Sequence, residues 1–215
     1  MLAVFYLGLA IAVGDLLCRR LYRFVSTAHR WAAAILIGIL LSTCFTYLAW
    51  LAFAHTIEPL LFANLLFFVL APATIFRLSR KAPKLSGIAP RAPGFSRWDW
   101  ITLGALFGAA CVLLIGTLYV DKQGQLHVSG LQANDFAQQL AIAQSIALGH
   151  ILPGEFPHYV RPRIDDQLLF FFQAGNLQFL GLNLAWSVDV LSVLGFTSMA
   201  LFHARLCFII MCWVF

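Results

Sequence analysis

From Trp31 to Ala54 the chain carries no formally charged side chain. A run of that kind constrains the fold strongly. Roughly 20 apolar residues at about 1.5 Å rise cross the hydrocarbon of a bilayer, and in that medium a helix satisfies all of its own backbone polar groups. Comparable runs cover Met1 to Leu17, with Asp15 near its end, then Pro59 to Ile75, Ile101 to Val120, and Ala185 to Phe202, interrupted by Asp189. A shorter one covers Leu206 to Phe215. With 61% hydrophobic and 11% charged residues, the chain lacks the polar surface of a soluble domain, whose usual shares are about 45–50% and about 25%. The expected fold class is therefore all-α, a polytopic transmembrane helical bundle of about five or six spans, and a soluble enzyme is excluded.

The formal charge of +5 acquires meaning from its position. Arg19, Arg20, Arg23 and Arg30 fall between the first two runs, and Arg77, Arg80, Lys81, Lys84, Arg91 and Arg97 between the third and fourth. Ten of the fourteen basic residues thus sit in two connections, and the intervening one, His55 to Glu58, has none. The positive-inside bias places residues 18–30 and 77–97 in the cytoplasm, the amino terminus outside and residues 121–184 outside. Positive charge accounted for in this way marks orientation and implies no nucleic-acid partner. The first run has no basic residue before it and an arginine cluster after it, the reverse of a cleaved signal peptide, so it reads as an uncleaved anchor.

The expected organisation is three spans over residues 1–76, a basic linker over 77–100, and residues 101–215 comprising a span, the outer loop 121–184 and further span or spans. The run from Leu206 reaches Phe215 about ten residues short of a span, so the bundle is expected to be incomplete at that point. Cys18, Cys44, Cys111, Cys207 and Cys212 all lie in or beside spans and are expected to be small core or lipid-facing residues.

Reactive side chains gather in the outer loop. Asp121, Asp135, Glu155, Asp165 and Asp166 are five of the nine acids, accompanied by His127, His150, His158, Arg161 and Arg163. After a polar lead to Gln132, the pattern predicts a helix from Asp135 to Leu148, with Asn134 as N-cap and Gly149 as stop, and a second helix from Gln167 to Leu182. Both are short for a crossing, so the first is expected to lie along the interface and the second to be interfacial or re-entrant. Asp135 reads on its own as a helix-start residue, favourable at the positive end of the dipole. His158, Arg161 and Arg163 read as headgroup contacts, and Asp165-Asp166 as partners for those arginines. Asp189 is costly inside a span and is expected to face a cavity or a partner. Phosphate loops, nucleophile elbows, HExxH helices and redox Cys-x-x-Cys pairs do not occur.

Asn134-Asp135-Phe136, the helix to Gly149-His150, the turn Leu152-Pro153-Gly154-Glu155-Phe156-Pro157, and Phe170 through Leu182 resemble the first large outer loop of bacterial membrane glycosyltransferases of the C-type (GT-C) fold. These enzymes use polyprenyl-phosphate-linked sugars and include the relatives of protein O-mannosyltransferases. The resemblance covers roughly residues 101–200. It implies residence in a bacterial inner membrane and transfer of a sugar to an acceptor glycan, lipid or protein on the outer face. It also implies a catalytic or metal-associated role for Asp135, with a divalent cation, Mg²⁺ or Mn²⁺, as the candidate cofactor. His158, Arg161 and Arg163 are then candidates for the lipid phosphate on chemistry and location, because the guanidinium fork binds phosphate oxygens in pairs. Relatives often carry a double acid or Asp-x-Asp where this chain has Asn134-Asp135, and an aromatic-His pair where it has Asp166-Gln167. The alternative reading is a non-catalytic membrane protein, either a lipid-binding or assembly subunit or a degenerate fragment. A transporter would be expected to show paired repeats and mid-membrane polar sites, and no internal repeat is present.

The orientation has a direct test. In a background without native cysteines, Ser129→Cys is expected to react with an impermeant maleimide from outside, and Ser86→Cys to react only after the membrane is opened.

Overall fold

The structure is a computed structural model that describes the backbone of residues 1–22, 24, 27–80, 97–121, 126–128, 133–149 and 168–214. Its elements in chain order are α1 (Leu2–Leu21), α2 (Thr27–Ala52), α3 (Pro59–Arg80), α4 (Arg97–Thr117), β1 (Leu118–Val120), β2 (Leu126–Val128), α5 (Ala133–Ala147), α6 (Leu168–Phe179) and α7 (Leu184–Val214). The chain is an all-α membrane bundle. Four stretches, Leu2–Leu21, Ala28–Ala52, Pro59–Arg80 and Leu184–Leu201, are long and apolar enough to cross a bilayer. Helix α4 is of similar length, at 21 residues, and packs against α7.

Between lipid-exposed helices there is little hydrophobic driving force, so close backbone approach has to supply the attraction. Gly14 and Gly38 provide it for α1 and α2. A Cβ on Gly14 would collide with the Ala34 carbonyl oxygen, and one on Gly38 with the Ala10 carbonyl oxygen. Beside this crossing the Asp15 carboxylate, buried at 7% exposure, accepts from Arg19 at 2.7 Å and lies 3.1 Å from Arg30 Nε. The Arg30 contact lacks hydrogen-bond alignment, so its attraction is coulombic. Two cations thus compensate an acid that would otherwise be costly at the end of a span.

The same end gathers the other basic termini. Arg20 donates to the Leu78 carbonyl at 3.1 Å, tying the end of α1 to the end of α3, and His29 on α2 contacts the Leu201 carbonyl of α7 at 3.2 Å. This is the basic end. Arginines in the last turns of α1 and α3 also complement the helix dipoles there. Helix α3 opens on Pro59, where the missing N–H is harmless.

At the opposite end β1 and β2 form an antiparallel ribbon pairing Leu118 with Val128, Tyr119 with His127 and Val120 with Leu126. We call this the hairpin end. The ribbon is unlike the expected geometry, in which the fourth span ran on to Val120 and a polar lead followed. Pairing lets the backbone leave the helix with its hydrogen bonds met, and Leu118 enters the core with Leu184, Ala185 and Val188.

Helix α5 starts at Ala133, so Asn134 lies within its first turn and is not the cap; it ends where Gly149 adopts φ +73° and donates to the Ile146 carbonyl. Helix α6 closes in a Schellman motif. Gly181, at φ +91°, donates to the Gln178 carbonyl at 2.9 Å, and Leu182 donates to the Leu177 carbonyl at 3.1 Å. The Asn183 side chain then caps α7 by accepting from the Ala185 N–H at 3.0 Å. This tight turn holds α6 against α7.

Two expectations are refined by these helices. Every residue from Phe171 to Leu177 is buried, so α6 is a helix inside the bundle and not one resting on its surface. Ala185–Phe202 and Leu206–Phe215, read as separate runs, are one continuous helix to Val214, since an α-helix tolerates the intervening His203 and Arg205 without a break.

Because the α1–α2 approach leaves no room for a side chain, Gly14→Ala is expected to destabilise the bundle by about 1–3 kcal/mol. Reversible unfolding in mixed micelles measures this, with Gly104→Ala, which meets no neighbouring atom, as the neutral comparison.

Candidate functional site at the hairpin end

Polar residues inside the bundle collect at one depth. Tyr6 lies four residues inside α1, Thr46 six residues from the end of α2, Asn64 five residues inside α3 and Asp189 five residues inside α7. At about 1.5 Å per residue, all four sit about 6–9 Å below the hairpin end. Gln173 and Asn176 of α6 join the same layer.

Hydrogen bonds knit this layer together. The Tyr6 and Thr46 hydroxyls lie 3.3 Å apart, and Thr46 Oγ1 also donates to the Ser42 carbonyl at 2.8 Å. Ser42, Gln173 and Asn176 complete the polar surroundings of the Tyr6 hydroxyl. Asn64 Nδ2 donates both to the Leu60 carbonyl at 2.9 Å and to Asn176 Oδ1 at 2.7 Å, joining α3 to α6 across 112 residues of chain. Aromatic rings wall the layer. The Tyr6 ring packs on Phe67 at 4.3 Å, and Phe172 is held by Tyr47 at 5.2 Å and Trp50 at 5.3 Å. Such pairs are worth about 0.5–1.5 kcal/mol each.

Several polar atoms in the layer have no partner among the described residues. Gln173 is 1% exposed, yet neither Nε2 nor Oε1 is hydrogen-bonded; Asn176 Nδ2 and Asn64 Oδ1 are likewise unmet. The layer therefore presents two donor groups and two acceptor groups beyond its internal bonds. Asp189, 4% exposed at the same depth, pairs with none of the described residues.

Helix α5 rests on this layer through α6. A Cβ on Gly175 would collide with the Ala143 carbonyl oxygen and crowd Ile146, so only glycine allows the two helices to approach so closely. Leu140, Ala143 and Ile146 are buried on the α6-facing side of α5. Asp135 lies in the first turn of α5; its side chain is outside the described residues. His158, Arg161 and Arg163 also fall outside them.

Sequence reading flagged Asp189 but missed the rest of the layer. One local signal was present: Gln173 and Asn176, spaced i and i+3 in an otherwise apolar helix, share a face. Ser42 and Thr46 on α2 are likewise spaced i and i+4 on one face, whereas Tyr6 and Asn64 give no such signal. Cys18 is buried against Ala33 and Ala34, as expected of a small core residue. Among the described residues no group of three His, Cys, Asp or Glu side chains converges as a metal site. Compared with family models, curated proteins and solved structures, the chain matches none.

The Asn64–Asn176 bond should show as coupling. In a double-mutant cycle of Asn64→Ala and Asn176→Ala, an interaction energy of about 0.6–1.7 kcal/mol is expected, the range found for hydrogen bonds between membrane helices. Strict additivity would mean that the bond contributes nothing to the bundle.

Proposed function

We propose that the chain is a membrane glycosyltransferase, or the amino-terminal portion of one, that moves a sugar from a polyprenyl-phosphate donor to an acceptor on the outer face of a bacterial inner membrane. The observation that carries this reading is the α5–α6 pair: the Gly175 contact with Ala143 joins the helix bearing Asp135 to a buried helix at the hairpin end. That end corresponds to the outer side in the orientation implied by the ten clustered basic residues. A carboxylate at the start of α5 thus belongs to a segment anchored in the bundle, close to where a lipid-linked sugar presents its phosphate.

The reaction follows from the residue chemistry. Asp135 accepts the proton of an acceptor hydroxyl as its oxygen attacks the anomeric carbon, and the bond from that carbon to the donor phosphate oxygen breaks. The electron pair leaves with the polyprenyl phosphate, whose charge Arg161, Arg163 and His158 offset. The proton stays on Asp135 until it passes to solvent. A divalent cation, Mg²⁺ or Mn²⁺, held by Asp135 and the donor phosphate would add charge compensation; one carboxylate with substrate phosphates is a usual donor set for Mg²⁺.

The test is transfer by the full chain in proteoliposomes, with polyprenyl-phosphate sugars as donors. Asp135→Asn is expected to lower kcat by about 10²–10⁴-fold with little change in donor binding. Undiminished transfer by the variant would remove Asp135 from the chemistry. Donor binding without turnover by the wild-type protein would favour the non-catalytic, lipid-binding reading instead.

A further inference from the structure

A cavity of about 330 Å³ lies among α1, α2 and α3, bordered toward the polar layer by Ser42 and Phe67. Its walls include Val13, Gly38, Leu41, Leu70, Ala71 and Thr74. Leu41 and Leu70 are 43% and 42% exposed, so the cavity opens sideways to the surroundings of the bundle. In a bilayer those surroundings are hydrocarbon chains. Measured from the basic end, its wall reaches Ala10 on α1, eleven residues or about 16 Å from Leu21, and Phe45 on α2, eighteen residues or about 27 Å from Thr27, so it occupies the middle of the bundle.

The cavity leads toward a set of arginines. Seven residues make nearly two helical turns, so Arg20 lies on the same face of α1 as Val13, and Arg77 on the same face of α3 as Leu70. Thr74, at the cavity edge, is only about 4.5 Å along the axis from Arg77. Arg20 is fixed toward α3 by its bond to the Leu78 carbonyl, while its Nε is buried without a partner. Arg80 lies over the Phe76 ring at 4.0 Å. Asp15 is engaged by Arg19 and Arg30, so Arg20, Arg77 and Arg80 have no carboxylate partner among the described residues. An apolar cavity open to lipid, on the same faces of α1 and α3 as guanidinium groups with no carboxylate partner among the described residues, has the chemistry of an anionic amphiphile's site.

We infer that the basic end of α1–α3 binds one anionic glycerophospholipid, with its phosphate on Arg20 and Arg77 and one acyl chain in the cavity between α1, α2 and α3. The site is independent of the glycosyltransferase reading. Its headgroup residues sit at the opposite end of the bundle, and it uses none of the residues assigned to transfer. Arg80 lies within reach of the same headgroup, and each arginine beside an anionic headgroup contributes attraction that a zwitterionic lipid does not repay.

Native mass spectrometry of the purified full chain, offered phosphatidylglycerol and phosphatidylcholine with identical acyl chains, tests this. Wild-type protein is expected to retain one phosphatidylglycerol in preference to phosphatidylcholine. Arg77→Gln should weaken that preference roughly fivefold, and Arg20→Gln combined with Arg77→Gln by more than tenfold. Arg77 is exposed and Thr74 is exposed at the cavity edge, so Arg77→Gln and Thr74→Trp leave the core intact and keep the test decisive if Arg20→Gln does not fold. Thr74→Trp, which obstructs the cavity, should reduce retention of the lipid itself. Equal retention of the two lipids by the wild-type protein, unchanged preference in Arg77→Gln, or unchanged retention in Thr74→Trp would each overturn the site. Displacement of phosphatidylglycerol by equimolar undecaprenyl phosphate would overturn the assignment to a glycerophospholipid.

Discussion

The hydrogen bond from Asn64 to Asn176 joins α3 to a helix that lies 112 residues later in the chain. In water such a bond would exchange for bonds to solvent with little net gain. Inside a membrane bundle its loss leaves two amides with few other partners, so it fixes where α6 sits. The position of α5 depends on that of α6 through Gly175, and the position of the α7 amino terminus depends on it through the Gly181 turn and the Asn183 cap. The hairpin end is thus organised around a polar layer, in a medium where apolar contact alone distinguishes poorly between packed and dispersed helices.

The two ends of the bundle use charge differently. At the basic end formal charges are concentrated, and Asp15 is compensated by two arginines. Among the described residues at the hairpin end, the buried polar ones are neutral apart from Asp189. Neutral groups can be carried several ångströms below the surface at moderate cost when they bond to one another, whereas a charge at that depth costs far more. That contrast suits the basic end to holding anionic lipid headgroups and the opposite end to orienting hydroxyl-bearing groups. It also sets the proposed headgroup residues apart from the segment to which we assign sugar transfer.

Much of this architecture was legible in the sequence, for identifiable reasons. Apolar runs of near-bilayer length announced α1, α2 and α3, and Gly149 announced the end of α5, because hydrocarbon thickness and left-handed backbone leave local marks. What escaped notice depends on partners distant in the chain. Three-residue strands such as Leu118–Val120 and Leu126–Val128 are too short to show alternation. The length of α6 showed that it does not cross, but its burial is set by Tyr6, Trp50 and Asn64, which have no sequence relation to one another. Likewise, His203 and Arg205 look like the end of a span, although backbone geometry carries α7 past them. Asp135 was singled out by its resemblance to a family loop and by its place at a helix start; the residues that anchor its helix were not.

The central claim is that α6 is a buried element of the bundle, held over a polar layer, and not a helix lying on the membrane surface. Hydrogen–deuterium exchange of the full chain in nanodiscs addresses it most directly. The account predicts that the amides of Phe171 to Leu177 exchange as slowly as those in the middle of α2, and that Asn64→Leu accelerates them selectively. Exchange of that segment at the rate of a solvent-facing helix in the wild-type protein would contradict the account.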